Sequence, residues 1–148
     1  MTERTIEDAQ AGLVQEFQAL SDWQARYRRI IERGRALDGF PDEFRTDRNR
    51  VKGCQSQVWL HAVLDDRGRV VLLGDSDSTL VRGLVAMVIE VFQGQPPSVL
   101  ATAPVSFLDE LGLIENLSQT RSSGLAAMLR QVRAYGVAFD ALQRLGRA

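Results

Sequence analysis

Apolar positions near the start of the chain recur every three or four residues, which is a helical period. Ile6, Leu13, Phe17 and Leu20 share a face across residues 5–20, with Glu7 and Asp8 in the first turn, where acids suit the positive end of a helix. Ser21 reads as the N-cap of a second helix, DWQARYRRIIERGRAL, whose shared face carries Trp23, Tyr27, Ile30 and Ile31. Gly39 and Pro41 end it. The segment DGFPDEFRTDRNRVKG is charged and lacks a period, so it reads as a long ordered loop.

The period then becomes two. In QVWLHAVL, Val58, Leu60, Ala62 and Leu64 fall on one face and Trp59, His61 and Val63 on the other. DDRG supplies a turn and RVVLLG a second strand, giving a hairpin. An isolated hairpin is only marginally stable, so a further strand is expected from residues 40–51. The helical period returns in DSDSTLVRGLVAMVIEVFQG, where Leu80, Leu84, Met87, Val88, Val91 and Phe92 form a stripe that Gln95-Pro96-Pro97 ends. A short helix over residues 104–111 and a connection through NLSQT lead to a last helix over residues 121–145. Its buried stripe reads Leu125, Met128, Leu129, Val132, Tyr135 and Leu142. The rings of Trp23 and Trp59 are assigned to the core. The expected fold is α+β, a small antiparallel sheet covered by helices on one face, in a single domain spanning 1–148.

Composition narrows the function. The chain has 148 residues and a formal net charge of −1, with 18 Lys+Arg against 19 Asp+Glu. No global basic field points to nucleic acid, and no apolar run approaches the ~18 residues that span a bilayer. The N-terminus lacks a signal pattern, so the cytoplasm is the expected location. One Cys and one His cannot close a structural zinc site, which takes four ligands. Asn116-Leu117-Ser118 matches a glycosylation sequon and is read as chance.

Cys54 is the chain's only cysteine. A free Cys is most often a small buried hydrophobe. Here Gly53 precedes it and permits a positive φ, which suits a loop tip. Arg48, Arg50 and Lys52 lie within six residues, and nearby cations favour the thiolate, the nucleophilic form. A Cys54–His61 dyad would need a long reach, because His61 sits seven residues on, inside a strand. Arg121 stands at the start of the last helix, where a cation opposes the helix dipole.

The segment NRVKGCQSQVWL, residues 49–60, resembles the signature of the SufE family around its active cysteine. GDSDSTLVRGLVAMVIEVFQG and NLSQTRSSGLAAMLRQVRAYG extend the resemblance over most of the chain. QTR stands where members often have a proline-containing lead-in. The resemblance implies the α+β fold shared with IscU-type scaffolds. It also implies a sulfur acceptor and activator of a SufS-type cysteine desulfurase, taking persulfide sulfur on Cys54 and passing it to an iron–sulfur scaffold complex. Gly53, Gln55, Lys52 and Arg121 are expected to support Cys54. The chain itself is expected to hold no cofactor or metal, pyridoxal phosphate belonging to the desulfurase. No nucleic acid or membrane partner is expected. The alternatives are a CsdE-like partner of another desulfurase, or a redox or hydrolytic protein that uses Cys54 and a base.

Overall fold

The computed structural model describes residues 5–146. Helix α1, Ile6–Gln18, begins with a capping box: Thr5 Oγ1 accepts from Asp8 N, and Asp8 Oδ2 accepts from Thr5 N. Helix α2, Trp23–Arg35, is capped by Asp22 rather than by the expected Ser21, its Oδ1 accepting from Ala25 N at 2.8 Å. Strands β1, Val58–Leu64, and β2, Val70–Ser76, form the antiparallel hairpin in the register that the alternation demands. Helix α3, Thr79–Phe92, starts on Ser78. Three short helices follow: α4, Pro97–Thr102, α5, Phe107–Glu110, and α6, Leu113–Asn116. The long helix α7, Gln119–Gly146, completes the chain.

Val58, Leu60 and Ala62 of β1 and Val70 and Leu72 of β2 are buried on one face of the hairpin. That face packs on α3 and α7, which are joined by α2 and α4 respectively. The α2–α3 crossing is close enough to exclude side chains. A Cβ on Gly83 would lie 2.1 Å from the Ile30 carbonyl oxygen, and one on Gly34 would lie 2.7 Å from Gly83 N. Buried Gln10 ties α1 to the start of α5. Its side-chain oxygen accepts from Ser106 N and Phe107 N, and its amide donates to the Pro104 carbonyl.

The expected third strand is reduced to one bridge, Arg50 to Trp59. The chain is extended only long enough for Val51 N to donate to Val58 O and Leu60 N to Asn49 O. Before that it turns through a short 3₁₀ segment, Asp42–Phe44, and drapes over the outward face of β1. Phe44 stacks on His61 with ring centroids 3.8 Å apart, and the Arg45 guanidinium lies over the rings of Phe40 and Trp59. Trp59 is therefore half-buried under a loop, and Trp23 half-buried at the core margin, rather than central. The opposite edge, on β2, is closed by a side chain: Gln93 accepts from Leu72 N and donates to Leu72 O. Both exposed ladders are thus occupied, which suppresses edge-to-edge association.

Two helices, α4 and α6, fall outside the expected elements. Pro97 opens α4 at a first-turn position instead of merely ending α3, and its missing N–H costs nothing there. Helix α7 starts two residues earlier than expected. Leu142, assigned to its buried stripe, is 60% exposed, on a groove that it lines with Leu64 and Phe139. The α2–α3 crossing makes a direct prediction. Gly83→Ala should lower stability by about 3 kcal/mol, because the methyl group meets backbone that cannot yield. A urea midpoint unchanged from wild type would refute this contact.

Candidate functional site

The loop that carries Cys54 is pinned at both ends. On the entry side, Asn49 is 5% exposed and fully bonded. Its amide nitrogen donates to the Phe44 carbonyl and to His61 Nδ1, both at 2.9 Å, and its Oδ1 accepts from the Tyr135 hydroxyl, also at 2.9 Å. Gln131 of α7 donates to the Asn49 carbonyl at 3.0 Å. On the exit side, Gln57 N donates to Asp77 Oδ1 at 3.0 Å and Asp77 N donates back to the Gln57 carbonyl. Between these anchors the chain reverses at Gly53, whose φ of +93° is a conformation that side-chain-bearing residues rarely adopt.

The reversal turns Cys54 toward the first turns of α7. Its Sγ lies 3.5 Å from the Gly124 carbonyl oxygen, to which the thiol donates. A Cβ on Gly124 would come within 3.2 Å of the sulfur, so the thiol occupies the space that a side chain would fill. Cys54 is half-buried in a cavity of about 250 Å³ lined also by Gln55, Ser56, Ser118, Thr120 and Arg121. Val81 and Met128 form its floor. Arg121 sits in the first turn of α7, its backbone N–H donating to Ser118 Oγ. Among the described residues, the N–H groups of Gly53, Gln55 and Ser56 have no protein acceptor. Unpaired donors beside a sulfur atom are available to an incoming anion.

Burial raises the Cys54 thiol above its ordinary range, and the charge of Arg130 pulls it part of the way back. The cation that acts on the sulfur thus comes from α7, not from the expected Arg48, Arg50 and Lys52. Lys52 is exposed and faces a separate concavity with Arg48 and Arg130. His61 is not brought to Cys54. Its Nδ1 is occupied by Asn49, its ring is stacked on Phe44, and it lines another groove with Tyr135 and Phe139. Burial, and then the charge of Arg48, hold its imidazolium below the usual range. Cys54 therefore has a carbonyl as its hydrogen-bond partner and no base.

Of the residues expected at the site, Cys54, Gln55 and Arg121 line one cavity and Gly53 makes the turn. Gly124, Ser118, Thr120 and Arg130 were not singled out in the sequence. Gly124 had a readable signal, being a glycine inside a helical pattern, where it costs stability unless something needs the space. No group of three or more His, Cys, Asp or Glu among the described residues is placed to hold a metal ion. No helix among them is long and apolar enough to cross a membrane.

The sequence profile of SufE, described as an Fe-S metabolism associated domain, matches residues 11–136. The chain belongs to the SufE family. It is 42% identical over 125 residues to an uncharacterized SufE-like protein of Rhizobium etli, covering 82% of this chain and 84% of that one. It is 39% identical over 126 residues to a SufE-like protein of Rhizobium meliloti, covering 82% and 90%. The sulfur acceptor protein CsdE of Escherichia coli is 35% identical over 119 residues, covering 80% and 81%. The fold matches the solution structure of a hypothetical protein from Thermus thermophilus, with TM-score 0.74 at 21% identity, covering 90% of this chain and 96% of that one. The SufE-family α+β architecture expected from the sequence is thus the architecture observed.

The seat of the thiol can be tested by filling it. Gly124→Ala should fold, since alanine favours a helix by roughly 0.5–1 kcal/mol over glycine. The methyl group should displace the sulfur and speed Cys54 alkylation by iodoacetamide several-fold at fixed pH. An alkylation rate equal to wild type would show that Gly124 does not shelter the thiol.

Proposed function

We propose that this protein accepts sulfur on Cys54 from a SufS-type cysteine desulfurase, stimulates that enzyme and passes the sulfur on for iron–sulfur cluster assembly. The observation that carries the reading is the setting of the lone thiol. It is half-buried, faces a small polar cavity, borders unpaired N–H groups and lacks a base. Family membership and the likeness to a sulfur acceptor protein support it.

The chemistry needs one cysteine. The Cys54 thiolate attacks the outer sulfur of the donor's persulfide; the donor's S–S bond breaks as a new S–S bond forms on Cys54. The donor cysteine leaves as thiolate and takes up a proton equivalent to the one Cys54 lost. Sulfane sulfur keeps its oxidation level, so no outside reductant or oxidant enters. The product persulfide is anionic. The free N–H groups of Gly53 and Gln55, with Arg121, Ser118 and Thr120 around the cavity, would hold that charge. A second cysteine would resolve the persulfide as a disulfide and release sulfide, so a lone thiol suits a carrier. Pyridoxal phosphate chemistry belongs to the desulfurase. The carrier works in the cytoplasm and its onward partner is an iron–sulfur scaffold complex.

Shelter and transfer have opposite needs. Against Gly124 the sulfur is protected from oxidation, which proceeds through exposed thiolate. To reach a donor it must swing outward, and the anchors at Asn49, at the Val51–Val58 pair and at Gln57–Asp77 leave residues 52–56 as the moving unit. A thiol hydrolase is disfavoured by the position of His61, which reaches Asn49 instead of the sulfur. The likeness to CsdE supports the same acceptor chemistry with a different desulfurase as the competing assignment.

The test is intact mass after incubation with purified SufS-type desulfurase and cysteine. The wild type should gain one sulfur atom, which a reductant removes. Cys54→Ser should fold, gain nothing and fail to stimulate cysteine turnover. A Cys54→Ser variant that stimulates as well as wild type would overturn the relay.

A further inference from the structure

On the far side of Gly53 from the thiol cavity lies a second concavity of about 370 Å³, lined by Arg48, Lys52 and Arg130 together with Gln131, Ala134 and Tyr135. The two sites adjoin: a Cβ on Gly53 would sit 3.5 Å from Ala127 Cβ and 3.9 Å from the Arg130 guanidinium. Arg48, Lys52 and Arg130 are all exposed. None of the three has a carboxylate within ion-pair distance among the described residues.

Five of the chain's other arginines are neutralised where they stand. Arg29 and Arg33 pair with Glu16, Arg45 and Arg82 with Asp75, and Arg144 with Asp140. The acids near the basic group in sequence, Glu43 and Asp47, are exposed and pair with none of it. With 18 Lys+Arg against 19 Asp+Glu overall, this local excess is a property of one face and not of the whole chain. Three unpaired cations held together repel one another, and an acidic surface placed against them removes that repulsion.

We infer that Arg48, Lys52 and Arg130 form the docking surface for an acidic patch on the desulfurase, steering Cys54 toward the donor persulfide. The inference rests on the acceptor reading given above. The occupant is a protein surface because the concavity adjoins the one thiol that must meet a protein-bound sulfur. Charges at the rim of such an interface act chiefly on association rate and salt dependence.

Lys52 is the only lysine in the chain, which makes the contact directly readable. Apart from the N-terminal amine, it is the one amine that a water-soluble carbodiimide can join to a partner carboxylate. In a mixture with SufS-type desulfurase, the expected product links Lys52 to an Asp or Glu of that enzyme. Lys52→Arg should abolish this cross-link. Arg48→Glu/Lys52→Glu should raise the desulfurase's KM for this protein by about tenfold or more at about 0.05 M salt, with the difference shrinking toward about 0.5 M as screening sets in.

If the wild type is loaded with sulfur, yet no Lys52 cross-link forms and the reversed variant keeps the wild-type KM, the docking inference falls while the acceptor role stands. If the wild type binds a DNA duplex at physiological salt through these residues and Lys52 gives no cross-link to the desulfurase, the surface serves nucleic acid and the inference is overturned. A wild type that gains no sulfur from the desulfurase overturns both readings.

Discussion

The contact between the Cys54 sulfur and the backbone of Gly124 is the constraint on which the site depends. It requires three things at once. The chain must reverse just before the cysteine, which the positive φ of Gly53 allows. The facing helix must be bare at one position, which Gly124 supplies. The loop must be held at fixed height above that helix, which Asn49 and the Gln57–Asp77 pair achieve. If any of these is lost, the thiol is either solvent-exposed or crowded out. A thiol kept protonated by burial reacts slowly with oxidants, because the thiolate is the reactive form.

The rest of the fold holds these parts in register. The tight α2–α3 crossing at Gly34 and Gly83 sets the helical layer beneath the hairpin, and Asp77 leads directly into that layer. Tyr27 donates to the Asn116 carbonyl, tying α2 to the segment that introduces α7 and so to Ser118, Arg121 and Gly124. Gln131 and Tyr135 of the same helix reach the Leu60 carbonyl and Asn49. Helix α7 therefore carries the wall of the thiol cavity, the cation that acts on the sulfur and the bonds that anchor the loop. Arg130 belongs both to the thiol's electrostatics and to the basic concavity next to it.

Much of this was legible from local pattern. The period-two alternation put Val58, Leu60 and Ala62 on one face of a hairpin, the face that is buried, and Gly53 before Cys54 announced the turn. What escaped was set by contacts between distant residues. Where the expected third strand would run, Phe44 stacks on His61 and Arg45 lies over Trp59, and only the Arg50–Trp59 bridge remains of a ladder. Pro96-Pro97 was read as an end when it is also a beginning. Of the cations around Cys54, it is Arg130, remote in sequence, that its sulfur feels, while Arg48 and Lys52 line the neighbouring concavity. Proximity along the chain is a poor guide to charge around a loop tip, because a single reversal sends successive side chains to opposite sides.

The central claim is that the free protein keeps Cys54 as a sheltered, protonated thiol. Its titration tests this most directly, followed by the ultraviolet absorbance of the thiolate and compared with urea-unfolded chain. Burial raises the folded value, so on raising pH the unfolded chain should ionise first and the folded protein should still be protonated where the unfolded thiol has lost its proton. A folded thiol that ionises at lower pH than the unfolded one would contradict the account.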